Sequence, residues 1–282
     1  MICAWQAFID LLPVWMREDV DKHGRDTLQE LRLRIGIPPE LICCDKNIQL
    51  KRLVTDFDLQ FCINTASKYS PWTASTVADG YITAPGGHRI GICGKSVNLN
   101  GAVSTIKKPT SLCLRVARDF PGIASKTCEF TGSVLIIGCP GSGKTTLLRD
   151  MVRQRANIGS GSVSVVDERE EIFPHSQGVG IFDCGKRTDI LSGCSKAHGI
   201  ISVLRSMSPT TIAVDEITSE EDCKALLRAG WCGVTLLATA HAASKHDLFT
   251  RIVYRPIVES KLFDTLLIMN KDKSWTAERL NI

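Results

Sequence analysis

The chain has 282 residues, of which 44% are hydrophobic and 23% charged, and its formal net charge at pH 7 is +4. A chain this apolar can bury enough surface to offset its conformational entropy, so the composition excludes an intrinsically disordered protein. The small charge does not require nucleic acid or an anionic membrane as a partner. No apolar run reaches the roughly 20 residues that span a bilayer, which favours a cytoplasmic protein.

The opening segment places Trp5, Phe8, Ile9 and Leu12 at helical spacing, which predicts an amphipathic helix. Asp10 within the apolar stretch and the lack of a basic start argue against a signal peptide. We expect this helix to pack on its own domain. The alternative is a surface for a membrane or a partner.

The first part of the chain has mixed α and β character. The segment LQELRLRIGIPPEL follows the opening helix, and a hairpin is predicted within Gly80–Val97, where GYITA and HRIGICG flank the turn residues Pro85-Gly86-Gly87. The character changes near Lys107–Asp119. We therefore predict a smaller N-terminal α+β domain over residues 1–118 and a second domain over 119–282.

From Gly132 onward, apolar strands alternate with helices. The predicted strands are SVLIIG, SVSVVDE, TTIAVDE and GVTLLATA. Helices are predicted over KTTLLRDMVRQRA, within Ser195–Ser206, and from a cap at Ser219 to Gly230. This alternation predicts the α/β class, with a mostly parallel sheet flanked by helices. Together with the loop described next, it indicates a RecA-like P-loop NTPase core.

The segment between the first strand and its helix fits the P-loop pattern G-x-x-x-x-G-K-[ST] at every fixed position. Glycines let backbone N–H groups turn towards a phosphate, and the helix adds its positive N-terminal dipole. Lys144 would supply charge to the β- and γ-phosphates, and Thr145 would offer its hydroxyl to Mg²⁺. We therefore predict that ATP and Mg²⁺ bind here. The predicted nucleotide contacts are Gly138, Cys139, Pro140, Gly141, Ser142, Gly143, Lys144, Thr145 and Thr146.

The strand TTIAVDE ends in two acids, as a Walker B element does. Asp215 would face Mg²⁺ through water, and Glu216 would orient or activate the attacking water. The alternative is two solvated acids leaving a strand. His241 ends the fourth strand, where it could sense the γ-phosphate or serve only the fold. Arg205 precedes the Walker B strand, where it could reach phosphate or be a helix-terminal cation favoured by the dipole.

The twelve cysteines form no Cys-x-x-Cys pair, and Cys43 and Cys44 are adjacent. This spacing is poor for shared zinc ligation and for a disulfide framework. We predict that the cysteines act as small buried hydrophobes in a reducing compartment.

The order and spacing of several segments resemble the stage III sporulation protein AA family, a branch of the type II and type IV secretion ATPases. These segments are ELRLRIGIPPEL, GYITAPGGHRIGICGK, the P-loop, VVDEREEI, HGIISVLRSMSPTTIAVDEI and TLLATAHA. The resemblance implies a mother-cell ATPase that energises assembly or transport between mother cell and forespore. It also implies a hexameric ring at the cytoplasmic face of a membrane-embedded sporulation complex.

The same resemblance implies roles for residues outside the P-loop. Asp167 and Glu168 fall at an acidic box, which implies an Mg²⁺ role for Asp167 and a catalytic role for Glu168. His241 falls at a histidine box, and Arg205 falls at an arginine that precedes Walker B. The chain departs from the secretion ATPases at Asp215, where they commonly have glycine. An arginine from the N-terminal domain or a neighbouring subunit is expected to complete the site, the candidates being Arg89, Arg115 and Arg118. The alternative for these three is a surface cation that is solvated or paired within the fold.

Two further functions stay open. One is a P-loop ATPase that binds single-stranded nucleic acid, since a plastid and cyanobacterial relative carries a similar core with an added domain of that kind. The mild charge and the absence of such an extension before Ile282 argue against it, so no nucleic-acid partner is expected. The other is an ATP-gated scaffold without turnover, against which Glu216 argues, because a scaffold needs no catalytic base.

Overall fold

The computed structural model describes residues 1–67, 80–99, 102–176 and 179–280. It divides into two compact units: Met1–Asp119 with His175–Ile181, and Phe120–Pro174 with Phe182–Ile282. The domain boundary between residues 118 and 119 remains a prediction. Every helix in the described ranges is too short or too polar to cross a bilayer.

The first unit is built on an antiparallel sheet whose six strands, among the described residues, follow the order β3-β2-β1-β6-β5-β4. In chain order its elements are α1 (Trp5–Asp10), α2 (Val14–Gly24), β1 (Leu28–Arg34), β2 (Glu40–Cys43), β3 (Asn47–Gln49), α3 (Asp56–Ser67), β4 (Tyr81–Thr83), β5 (Arg89–Leu99) and β6 (Ala102–Arg115). The smaller α+β domain predicted at the N-terminus is therefore confirmed, and its sheet is antiparallel.

The opening helix packs on its own unit, as the sequence predicts. Trp5, Phe8 and Ile9 of α1 are buried, and so is Leu12, just after the helix ends. The predicted hairpin is also present, with Tyr81 opposite Gly91 and the turn at residues 85–87. Gly86 adopts φ 83°, a left-handed conformation that favours glycine.

The second unit is a mixed sheet in the order β11-β8-β12-β13-β7-β14-β15, in which only β15 runs antiparallel to its described neighbour. The elements are β7 (Val134–Gly138), α4 (Lys144–Ile158), β8 (Val163–Asp167), β9 (His175–Ser176), β10 (Val179–Gly180), β11 (Thr188–Ser192), α5 (Lys196–Ser206), β12 (Thr211–Ile217), α6 (Glu220–Trp231), β13 (Thr235–Ala240), α7 (Lys245–Thr250), α8 (Arg255–Glu259), β14 (Thr265–Met269) and β15 (Trp275–Arg279). Of these elements, the antiparallel pair β9 and β10 belongs to the first unit, which includes His175–Ile181.

The predicted α/β core is confirmed: β7, β8, β12 and β13 lie parallel in the middle of the sheet. Because they point the same way, the P-loop and the residues that follow β8, β12 and β13 all lie at one edge of the sheet. This edge holds the candidate site.

Helix α6 shows why its start is easier to predict than its end. Ser219 accepts from the backbone N–H of Asp222, and the Asp222 side chain accepts from the Ser219 N–H, a capping box. The predicted stop at Gly230 is wrong, because the helix continues to Trp231. Gly230 instead permits close packing, since a Cβ there would lie 2.3 Å from Leu262 Cδ1.

All twelve cysteines lie in the described part of the chain and are free thiols. Burial was predicted for them as a class, and it holds for Cys43, Cys62 and Cys223. It is wrong for five that lie in loops, in strands or at element ends facing solvent, which are Cys44, Cys93, Cys128, Cys139 and Cys232.

Candidate functional site

The loop between β7 and α4 has the backbone of a phosphate cradle. Gly141 and Gly143 adopt φ of 73° and 98°, which L side chains rarely tolerate. A Cβ on Gly138 would lie 2.6 Å from Ser142 Oγ and 2.9 Å from Met269 Cβ. The glycines of this loop are therefore needed for two reasons, its left-handed turns at Gly141 and Gly143 and the close approach of Gly138 to β14.

The loop also presents a hydroxyl suited to an anion. Ser142 Oγ is buried and has no hydrogen-bond partner in the described residues. Buried polar groups are nearly always hydrogen-bonded, so one without a protein partner indicates a ligand. It lies beside the N-terminus of α4, a helix of 15 residues whose free N–H groups favour negative charge.

Lys144, the first residue of α4, is only 5% exposed. Its Nζ donates to the carbonyls of Gly138 at 3.0 Å and Cys139 at 3.1 Å, and lies 3.2 Å from His241 Nδ1. Burial lowers the pKa of Lys144, and the carboxylates of Asp215 and Glu216 oppose that shift. The ammonium is thus held inside the loop by neutral acceptors.

His241 connects Lys144 to Glu216. An ammonium can only donate, so Nδ1 of the imidazole is the acceptor and Nε2 carries the proton. Nε2 then donates to Glu216 Oε1 at 3.0 Å. The backbone of His241 is fixed by Tyr254, whose hydroxyl accepts from its N–H at 3.2 Å. The result is a continuous contact path from Lys144 of the P-loop to Glu216 in β12.

A second path joins Thr145 to Asp215 and Thr239. Thr145 Oγ1 donates to one Asp215 oxygen at 2.7 Å, and the Thr239 hydroxyl donates to the other. Thr239 Oγ1 also accepts from the Glu216 N–H at 2.8 Å. Burial raises the pKa of Asp215, the two hydroxyl donors oppose this, and the nearby negative charge of Glu216 adds to the rise. A cation beside this carboxylate would relieve the cost of its charge.

Glu216 has an unusual backbone. Its φ is 51°, and the pairing of β12 with β13 shifts register between Val214 and Ile217. A non-glycine residue in the left-handed region costs about 1–3 kcal/mol and persists where the surroundings enforce it. Such strain at a strand end turns the side chain out of the sheet, in this case towards His241 and, at 3.8 Å, towards Arg169.

The acids after β8 are engaged in the fold. The buried carboxylate of Asp167 accepts from the backbone N–H groups of Glu171, Ile172 and Phe173 at 2.8–3.0 Å. Its Mg²⁺ role stays a prediction that this geometry disfavours, since the oxygens hold a turn. Glu168 Oε2 lies 2.6 Å from Lys196 Nζ, and both line a small cleft that also reaches Asp215 and Glu216.

Arg205 is not brought to the site within the chain. Helix α5 begins at Lys196, which contacts Glu168 at the carboxyl edge of β8. Arg205 is in the last turn of that helix, about 13 Å further along its axis. It is exposed, and its position matches the alternative of a cation favoured by the helix dipole. A catalytic role for Arg205 stays a prediction, which would need a neighbouring subunit because α5 runs away from the site of its own chain.

The three arginines of the N-terminal domain have partners within the first unit. Arg89 lies over the Tyr81 ring at 4.2 Å, and Arg115 pairs with Glu30 at 3.3 Å. Arg118 donates to the backbone carbonyl of Leu28 at 2.8 Å. A role for any of them in completing the site stays a prediction.

Several residues at the site were not identified from the sequence. Thr239 had a signal in the sequence, since it lies near the end of β13, two residues before His241, and residues two apart along an extended chain share a face. Arg169 and Lys196 could not be identified from the sequence, because their place at the site depends on their pairing with Glu216 and Glu168 in the fold. Lys273, whose ammonium donates to the carbonyl of Gly141, comes from a distant hairpin and had no local signal.

A P-loop around a buried lysine, with an acidic strand end on a mostly parallel sheet, defines the fold of the P-loop ATPases. The fold is similar to that of the Legionella pneumophila ATPase DotB, with a TM-score of 0.59 and 16% identity, covering 95% of this chain and 80% of that one. It is equally similar to the pilus retraction motor PilT with bound ADP, at 0.59 and 16%, covering 91% and 78%. At this identity the likeness concerns the fold alone.

Comparison of the sequence with known proteins identifies the family to which the chain belongs. Residues 9–278 match the family described as Sporulation stage III, protein AA. The chain is 36% identical over 256 residues to Stage III sporulation protein AA of Bacillus subtilis (strain 168), covering 87% of this chain and 83% of that protein. It is 28% identical over 243 residues to SEEDLING PLASTID DEVELOPMENT 1 of Arabidopsis thaliana, covering 83% of this chain and 33% of that protein. The chain belongs to the Sporulation stage III, protein AA family.

Proposed function

We propose that this protein is an Mg²⁺-dependent ATPase that energises assembly or transport by a sporulation complex between mother cell and forespore. The observation that carries the proposal is the contact path from Lys144 through His241 to Glu216, beside the path from Thr145 to Asp215. A nucleotide-binding lysine, a metal-binding hydroxyl and a carboxylate base are thereby joined in one network.

The nucleotide would be held by the P-loop. The unpartnered Ser142 hydroxyl and the ammonium of Lys144 suit the β- and γ-phosphates, and the backbone N–H groups of a P-loop would supply further donors. On binding, Lys144 would exchange neutral carbonyl partners for a phosphate anion. The negative charge would stabilise the ammonium and oppose the lowering of its pKa by burial.

Mg²⁺ would be held by the hydroxyl of Thr145, with Asp215 acting through water. When bound, the ion supplies positive charge that neutralises the phosphate oxygens. The residues present fit this role. Asp215 is half-buried, its hydrogen bonds from the described residues come from the neutral hydroxyls of Thr145 and Thr239, and burial disfavours its charge. Thr239 and Thr145 fix its orientation from both sides.

Glu216 is the proposed base. Phosphoryl transfer to water needs a positioned nucleophile more than covalent help, and a carboxylate at a strained strand end suits that task. His241 holds Glu216 through Nε2–H and contacts Lys144 through Nδ1, so a change in the contacts of Lys144 reaches the base through one ring. Lys196 restrains Glu168 at the rim of the same cleft.

The larger setting follows the family. We propose a hexameric ring at the cytoplasmic face of a membrane-embedded sporulation complex in the mother cell, with an arginine from a neighbouring subunit completing each site. The membership in the sporulation family and the secretion-ATPase fold support this setting. No nucleic-acid partner is expected.

The test is steady-state ATP hydrolysis by the purified protein over a series of protein concentrations, with Lys144→Ala as control. We expect an Mg²⁺-dependent rate per subunit that rises with concentration, as a shared site requires, and that is lost in Lys144→Ala. An equal rate in Lys144→Ala would contradict the assignment of the site. Strong stimulation by single-stranded DNA, reduced by salt, would favour the nucleic-acid motor instead.

A further inference from the structure

The turn between β14 and β15 lies against the P-loop. Met269, the last residue of β14, is the pairing partner of Gly138. The turn is closed by the Asn270 N–H, which donates to the Ser274 carbonyl at 2.9 Å, and by the Lys273 N–H, which donates to the Asn270 carbonyl at 3.2 Å. Asp272 adds a third restraint by accepting from the Ser274 hydroxyl at 2.6 Å. The turn therefore presents Lys273 on a well-fixed backbone.

The side chain of Lys273 reaches the tip of the P-loop. Its ammonium donates to the carbonyl of Gly141, a residue at the exposed tip. Its Cδ lies 3.6 Å from the position of a Cβ on Gly143, so its aliphatic stem runs beside the loop. Two lysines thus bind carbonyls of one phosphate-binding loop: Lys144 from within and Lys273 from the turn.

Lys144 and Lys273 donate to backbone carbonyls, whereas two other cations near the site pair with carboxylates. Arg169 pairs with Glu216, and Lys196 pairs with Glu168. The Lys273 ammonium donates to a neutral carbonyl, that of Gly141. The neighbouring Asp272 is occupied by Ser274, whose hydrogen bonds lower the pKa of Asp272. The positive charge of Lys273 is therefore available to an anion at the loop.

We propose that Lys273 is a second cation of the nucleotide site, which positions the tip of the P-loop and adds its charge to the binding of the phosphate chain. This inference rests on the proposed function. The side chain of Lys273 contacts the P-loop rather than Glu216 or His241. It would therefore act on the bound nucleotide both before and after hydrolysis. It should therefore strengthen the binding of ADP and ATP to a similar degree and leave the chemical step unchanged.

The experiment is a fluorescence titration of the full chain with mant-ADP and Mg²⁺. Removing an uncompensated charge-assisted contact is expected to weaken binding by Lys273→Met about tenfold. Lys273→Arg, which keeps the charge, should bind within about threefold of the wild type. Lys271→Met removes an exposed lysine from the same turn and is the matched control, with unchanged binding expected. Thermal denaturation of each variant reports whether the fold is kept.

A salt series separates charge from structure. The difference between wild type and Lys273→Met should shrink as NaCl is raised, since ions screen an exposed charge. Equal binding by wild type and Lys273→Met overturns the inference and leaves the proposed function intact. An equal loss in Lys271→Met overturns it too, because the effect would then be one of net charge. Failure of the wild type to bind mant-ADP contradicts the proposed function itself, and the inference with it.

Discussion

Replacing His241 with alanine would remove the ring that joins Lys144 to Glu216. Two hydrogen bonds are lost, at 3.2 Å and 3.0 Å, each involving a charged group. Such bonds contribute about 1.5–3 kcal/mol when buried. The side chains of His241 and Glu216 are about one third exposed, so solvent reduces that contribution and we expect a total loss of about 1–2 kcal/mol. The melting temperature should fall by roughly 2–8 °C.

The effect on catalysis is expected to be larger than the effect on stability. Without the Nε2–H donor, the ion-pair contact left to the Glu216 carboxylate within the described ranges is that with Arg169 at 3.8 Å, so its orientation is no longer fixed. Misplacing a catalytic group by about 1 Å costs on the order of 10²-fold in rate. We therefore expect kcat for ATP hydrolysis to fall about 100-fold in His241→Ala, while ADP affinity changes little because the P-loop is intact.

The assay is steady-state phosphate release at saturating ATP and Mg²⁺, with mant-ADP binding measured in parallel. His198→Ala, which removes an exposed histidine of α5, is the matched control and should retain wild-type kcat. If His241→Ala kept kcat within about twofold of wild type, His241 would not position the base. The proposed role of the contact path from Lys144 to Glu216 would then be refuted.

Three further predictions concern stability. Burial raises the pKa of Asp215 in the folded protein above its unfolded value of about 3.9. The contribution of this group to stability is therefore fully present below about pH 3.9, and it is lost as the pH rises through the higher folded pKa. Asp215→Asn should therefore melt above the wild type at pH 7.5 without nucleotide, with an advantage that shrinks towards pH 4; a constant difference across this range would contradict the assigned pKa direction. Asp167→Asn should lose about 1–3 kcal/mol, because an amide NH₂ faces backbone N–H donors; an unchanged melting temperature with weakened Mg²⁺ affinity would restore its metal role. Gly94→Ala should melt several degrees lower, since a Cβ would lie 2.5 Å from the Lys108 carbonyl oxygen, whereas in Gly91→Ala the nearest atoms are at 3.8 Å and little change is expected.

The sequence predicted the central part of the fold because local signals and long-range structure agree there. A P-loop requires glycines at fixed positions between a buried strand and a helix, and Gly138 and Lys144 meet that requirement. Parallel strands bring their ends to one edge, so Asp215 and His241 could be expected near the loop before their contacts were known. The hairpin at residues 80–97 was equally predictable, because Pro85 and the glycines after it are strong turn signals.

The remainder depended on packing that the sequence does not display. Arg205 is close to Walker B along the chain but distant in space, because its helix runs away from the site. Asp167 has the residue type of a metal ligand, yet its oxygens accept three backbone N–H groups of the following turn. Lys273 reaches the P-loop only because β14 pairs with β7, a partner far away in the sequence. The spatial positions and contacts of these three residues could not be predicted from residue type and position in the sequence alone.

The central claim is that Glu216 activates water for ATP hydrolysis. The most direct test is the rate of phosphate release by Glu216→Gln beside the wild type, at ATP and Mg²⁺ concentrations where both bind nucleotide equally. Glu221→Gln, on the exposed face of α6, is the control. We predict that Glu216→Gln lowers the rate about 10²–10⁴-fold, the usual contribution of a catalytic base, and that Glu221→Gln does not. A wild-type rate no higher than that of Glu216→Gln would contradict the account and favour a scaffold that binds ATP without turnover.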